Sequence, residues 1–232
     1  MITLYDRMSR GHTRTGWLDS RHTFSFGHYF DPARTGFGSL RVINEDRVIP
    51  GAGFPTHSHN DMEILTYVLA GALQHKDSLG NGSVIRPGDV QRMSAGTGIS
   101  HSEFNPSRQD PVHFLQIWLF PARNGLEPSY EQRHFPQAEK GNRFRLIIDP
   151  DGDDGAITIH QDARVYACCL NEGHTVENVI APGRSAWLQL ARGSATLNGN
   201  PMKESDGAAL TDEAMVRVAA EADSEMLLFD LG

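Results

Sequence analysis

The chain has 232 residues, 39% hydrophobic and 22% charged, enough apolar material for one large β unit or two smaller packed ones and too little bias for disorder. A net charge of −8 repels phosphate backbones, and without a local basic cluster it argues against direct nucleic-acid binding. No run of about 18 apolar residues exists to cross a membrane as a helix, so a soluble cytoplasmic protein with no membrane partner is expected.

Met1-Ile-Thr-Leu-Tyr-Asp6-Arg7 turns charged too early to hold an apolar signal core. Residues 7 to 50 are dense in Gly, His and aromatics. The alternation in His22-Thr-Phe24-Ser-Phe26 predicts a strand, and Leu40 to Asp46 predicts a strand running into a turn. His12, His22 and His28 are expected to be hydrogen-bonded side chains of a loop-rich cap.

The most informative stretch is Gly51-Ala-Gly53-Phe-Pro-Thr-His57-Ser-His59-Asn-Asp61-Met-Glu63, answered later by Gly96-Thr-Gly98-Ile-Ser-His101-Ser-Glu103-Phe-Asn105. In an extended strand, residues two apart point to the same face, so His57 with His59, and His101 with Glu103, are each placed to share one ion. Two such strands facing each other deliver three imidazoles and a carboxylate to one point, a set suited to a divalent transition metal. Glycines at 96 and 98 allow a sharp backbone bend just before His101. His75, His113, His134, His160 and His174 show no paired spacing and are expected to be bystanders.

Short strands punctuated by turns follow: Ile64–Leu69, then a hairpin at Asn81-Gly82, then a turn at Arg86-Pro87-Gly88-Asp89, and finally the apolar strand His113–Phe120. With no amphipathic helix between them, these elements predict an all-β sandwich or barrel. After a Gly/Pro-punctuated crossing at residues 121 to 128, the plan repeats. Trp187–Gly193 echoes Leu65–Gly71, Asn198-Gly199 echoes Asn81-Gly82, and Met226–Phe229 echoes Phe114–Ile117. Aligning Gly71 with Gly193 sets Val179 against His57 and Ala181 against His59. The expected organisation is therefore a metal-binding N-terminal domain over 1–128 and a C-terminal domain over 129–232 that keeps the scaffold without the ligands. Cys168 and Cys169 are adjacent, which rules out a disulfide framework.

The pattern Gly51-x5-His57-x-His59-x3-Glu63 resembles the first cupin motif, and Gly96-x-Gly98-x2-His101-x3-Asn105 the second, with Gly96 where many cupins carry Pro and seven residues rather than six between Glu63 and Gly71. Gly16-Trp-Leu-Asp-Ser20, His22-Thr-Phe-Ser-Phe26, Leu40-Arg-Val-Ile-Asn44, Asp61-Met-Glu-Ile64 and Gly96-Thr-Gly-Ile-Ser-His-Ser-Glu103 resemble the pirin family more narrowly. That resemblance implies two tandem cupin barrels and a metal held by His57, His59, His101 and Glu103. A general cupin motif implies Glu63 as the carboxylate ligand instead. A regular strand would carry Glu63 roughly 13 Å past His59 unless the chain bends at Asn60-Asp61, so Glu63 is expected to be a hydrogen-bond partner of the ligands.

The pirin resemblance further implies quercetin 2,3-dioxygenase activity. In that scheme a flavonol hydroxyl is deprotonated and coordinates the metal, dioxygen adds across the heterocycle, and carbon monoxide leaves. Glu103 would then be both ligand and proton acceptor. Iron(II) is the expected metal, with zinc, nickel, copper or manganese able to occupy the site on purification. The partners expected are a flavonol and dioxygen, and the chain is expected to be a monomer. The same resemblance also implies an alternative: a non-enzymatic regulator whose iron acts as a redox-sensitive switch toward a protein partner.

Overall fold

A computed structural model describes all 232 residues. The chain is almost entirely β and divides into two compact units, one of residues 11–134 with 159–161, the other of residues 1–10, 135–158 and 162–232. The division departs from a single boundary at 128/129 because edge strands pair across long stretches of sequence. Ser129–His134 lies against Asp89–Ser94, and the N-terminal Ile2–Tyr5 lies against Gly207–Leu210. Each covers a sheet edge that would otherwise expose unpaired backbone.

The first unit holds a seven-stranded antiparallel sheet in the order Ser129–His134, Asp89–Ser94, Glu63–Ala70, Val112–Leu119, Leu40–Val48, Leu18–His22 and Gly11–Arg14. Its four-stranded partner sheet runs Gly53–His59, Ile99–Phe104, Leu73–Asp77 and Gly82–Ile85. Residues paired in register share a face, and the large sheet therefore presents its side chains in rows. Leu18, Val48 and Val112 form one apolar row, packed with Val68, Leu73, Ile85 and Phe114. Trp118, Ile64 and Met93 form another. Between them runs a polar belt of His22, Asn44, Gln116, Thr66 and Gln91.

Three local expectations change. The strand foreseen over residues 22 to 26 ends at His22. Phe24 and Phe26 alternate inward from an irregular segment, in which Phe26 pairs only with Tyr29 and the Ser25 hydroxyl donates to Asp31 O. The turn foreseen at the end of Leu40 to Asp46 is strand through to Val48, with Asn44, Glu45 and Asp46 buried. The hairpin at Asn81-Gly82 exists, but its positive φ falls at Gly80, because the Asp77 carboxylate takes the N–H groups of Leu79 and Asn81.

The second unit repeats the strand order in both sheets, with Ser185–Arg192 and Ser224–Leu231 central to the larger one and Met215–Ala220 central to the smaller. Its core is apolar throughout, built on Val176, Ile180, Leu197, Val216, Val218 and their neighbours. Two cupin barrels in tandem are thus the architecture.

The register identifies which residues of the second unit stand at the ligand positions. Glu103 pairs with His75, and their counterparts Val218 and Leu197 pair in the same way. Stepping back two residues sets Val216 at the position of His101, opposite Asn178, with Ile180 next on the same face. Val179 and Ala181 are instead exposed. The simple glycine alignment misses this because the connection from Ile180 to Ser185 is one residue longer than its counterpart from His59 to Glu63.

Candidate metal centre

Gly53–His59 and Ile99–Phe104 are neighbours in the four-stranded sheet, with His57 directly opposite His101. Two glycines make this approach possible. A Cβ on Gly53 would sit 2.2 Å from Glu103 O, and Gly96, at φ +46, has Leu126 O where its Cβ would be, 2.0 Å away. The bend then places His101 and Glu103 inward, 2% and 4% exposed.

The structure brings His57, His59 and His101 together, their ligand atoms within 4.8 Å of one another. Glu103 belongs to a second, overlapping group with His101 and His75. His57 Nδ1–H donates to Pro55 O at 2.9 Å, leaving Nε2 as a lone pair. That Nε2 lies 3.0 Å from His101 Nε2. Two imidazole nitrogens bound at right angles to one ion at the usual Zn–N or similar length would be about 3 Å apart, so the spacing is that of adjacent ligands.

His75 is no bystander. It is fully buried, its Nε2–H donates to Asp77 Oδ2 at 3.0 Å, and its Nδ1 lies 3.5 Å from His101 Nδ1. This arrangement assigns the His101 proton to Nδ1 and frees its Nε2 toward His57. His160 also has a role, with Nδ1 3.4 Å from Glu63 Oε1.

Glu63 does not support the ligands. Although the chain bends sharply at Asp61, φ 47, Glu63 starts the next strand on the face away from Ile64 and Thr66. It accepts from the Ser94 hydroxyl at 2.9 Å and lies beside His160 and the Arg92 charge. His12, by contrast, is hydrogen-bonded to Asp19 as expected, and His22 is buried between Thr13 and Asn44.

The electrostatics fit a cation. Burial, reinforced by the neighbouring imidazoles, lowers His59 to about 4 and His101 to about 3. Both are therefore neutral and ligand-competent at neutral pH. Burial and the Asp46 charge raise Glu103 to about 8 despite a hydrogen bond from Gln116. Its Oε1 is buried with no partner, the sort of unsatisfied acceptor that a divalent ion would complete.

Over this centre lies a cavity of about 390 Å³, walled by Phe26, Phe54 and Trp118 and floored by His57, His59 and Glu103. The His59 ring meets the Trp118 edge at 4.9 Å. Asp46 also lines the cavity. Burial raises it to about 7, against a hydrogen bond from Ser20 and with the Glu45 charge adding to the shift. His75, Asp46 and Gln116 are thus the residues of the site that spacing alone does not reveal.

Comparison with known proteins agrees in kind. The Pirin family model matches residues 5–119, and the model described as quercetinase C-terminal cupin domain matches residues 146–231. A quercetin 2,3-dioxygenase of Escherichia coli (strain K12) is 48% identical over 231 residues, spanning 100% of this chain and 99% of that protein. A pirin-like protein of Caulobacter vibrioides is 41% identical over 216 residues, 93% of each chain. Among solved structures, the bacterial pirin YhhW from Escherichia coli in complex with nickel(II) superposes with a TM-score of 0.95 at 48% identity, covering 100% of this chain and 99% of that one.

Proposed function

The chain belongs to the pirin family, and from that premise we propose that it is a metal-dependent dioxygenase that opens the heterocycle of a flavonol such as quercetin with release of carbon monoxide. The observation that carries this reading is the gathering of His57, His59 and His101, with Glu103 beside His101 carrying a buried, partnerless oxygen, at an aromatic-walled cavity that His57, His59 and Glu103 line. At about 390 Å³ the cavity falls within the range that binds small organic ligands, and its flat walls suit a planar ring system.

In this reading His57, His59, His101 and Glu103 hold one divalent ion, iron(II) in the cell. The same residues accept nickel or other divalent ions, since affinity alone does not select among them. The nickel complex of the relative from Escherichia coli supports a divalent ion at this kind of site. The ion supplies Lewis-acid and redox chemistry toward the flavonol and dioxygen.

The protein's own groups do the rest. Phe26, Phe54 and Trp118 hold the planar rings and exclude water from them. Glu103, a carboxylate that lines the cavity, receives the proton of the flavonol hydroxyl. His75 and Asp77 hold the His101 ring in one tautomer while this happens.

The test is oxygen uptake by iron-loaded protein over a panel of flavonols, with carbon monoxide measured alongside and His101→Ala as control. Flavonol-dependent uptake lost in the variant is the expected result. Equal quercetin loss with wild type, variant and free iron would remove the enzyme reading.

A further inference from the structure

Three buried polar atoms of the side chains lining this cavity have no hydrogen-bond partner: the acceptors Glu103 Oε1 and Asp46 Oδ1, and the donor Trp118 Nε1. Glu103 is accounted for by the ion. Asp46 is not among the groups that could hold one, so an ion does not account for its partnerless oxygen.

Asp46 is 3% exposed and sits on Leu40–Val48, opposite Ser20 on one side and Phe114 on the other. Ser20 satisfies one carboxyl oxygen. The rest of the polar wall is satisfied internally: His22 bonds to Thr13 and to Asn44, each at 2.8 Å, and Gln116 Oε1 accepts from Thr66 at 3.2 Å. Apart from Glu103 Oε1, Asp46 Oδ1 is therefore the acceptor of the wall that is buried without a partner. A buried carboxyl with an unpaired oxygen costs stability, and such groups recur where a ligand completes them.

We infer that Asp46 is a specificity-determining residue whose free oxygen accepts a hydrogen bond from a substrate hydroxyl other than the one that yields its proton to Glu103. The inference rests on the proposed function, because it places the substrate in the same cavity. It narrows the substrate class to planar aromatics carrying at least two hydroxyl groups, one for each carboxyl. Trp118 Nε1 adds a donor suited to a carbonyl or ring oxygen. A site built to bond a hydroxyl rejects the analogue lacking it far more strongly than an apolar pocket does.

The experiment measures binding and not turnover. Nickel-loaded protein under argon is titrated with quercetin and with flavonols that each lack one hydroxyl, keeping the hydroxyl beside the carbonyl. Wild type is expected to bind at least one of these analogues tenfold or more weakly than quercetin. Asp46→Ala, and Asp46→Leu, which keeps the branched shape, are expected to show less than a twofold difference for that same analogue. Both variants remove a buried acid and are expected to fold, which the melting temperature checks. If no omission matters to wild type, or if the variants retain the wild-type discrimination, the role of Asp46 is overturned while the proposed function stands. If no flavonol binds the wild type, both fall together.

Discussion

His57 and His101 bring two imidazole nitrogens to 3.0 Å, and what each neighbour contributes can be separated by substitution. Glu63→Gln, whose partners are Ser94 and His160, is expected to keep near-wild-type metal affinity in a competitive chelator titration. His75→Ala releases the His101 ring and is expected to weaken binding about 10–100-fold, the usual loss for an outer-shell partner. Glu103→Gln should lose more than either, and a larger loss in Glu63→Gln would move the carboxylate to the first motif. The same residues set a pH dependence in the metal-free protein. Glu103 and Asp46 are raised to about 8 and about 7, so between their unfolded values and these the native state binds more protons, and stability falls as pH rises. His59 and His101, lowered to about 4 and about 3, act oppositely, but only below the unfolded histidine value near 6.5. Above pH 6.5 the carboxyls act alone, and the apo protein should lose about 2 kcal/mol by pH 8. Nickel loading should remove the larger, Glu103 part of that loss, since the ion holds Glu103 as the anion, and leave the Asp46 part. A flat or rising apo profile in denaturant titrations would contradict the assignment.

At the scale of strands, the site depends on how closely Gly53–His59 and Ile99–Phe104 approach. Gly53→Ala puts a methyl 2.2 Å from Glu103 O and 2.5 Å from Phe104 Cα, and should cost about 1–3 kcal/mol together with metal affinity. Gly82→Ala has open space at its Cβ and should stay within about 0.5 kcal/mol; equal effects in the two would mean that the strand approach does not matter. The same-face pairs His57 with His59 and His101 with Glu103 were legible in the sequence because strand periodicity alone puts alternate residues on one face. His75, expected to have no paired spacing, has Asp77 two residues on, and its place at the site further depends on pairing with Glu103 across the sheet, which no local pattern shows. Asn44-Glu45-Asp46 looks like a turn by composition, yet it is strand because a cavity wall tolerates a polar belt that a packed core would not. The edge strand Ile2–Tyr5 was unreadable for a similar reason, its partner Gly207–Leu210 lying near the other end of the chain.

Across the whole molecule, one plan of strands is used twice with different contents. The strand order is the same in both units, and the repeat of turns and apolar runs made the duplication readable. At the positions of His59, His101 and Glu103 the second unit carries Ile180, Val216 and Val218, all part of its apolar core, with Asn178 at that of His57. An apolar core offers no lone pairs to an ion, so full reconstitution is expected to reach one tightly held metal equivalent per chain. Such protein, loaded with one equivalent of iron(II) and given quercetin with isotopically labelled dioxygen, provides the most direct test of the account. Both labelled atoms are predicted in the ring-opened ester, with unlabelled carbon monoxide released in proportion to the oxygen consumed, and with both products lost in folded His101→Ala. Label missing from the ester, absence of carbon monoxide, or equal turnover by the variant would contradict it.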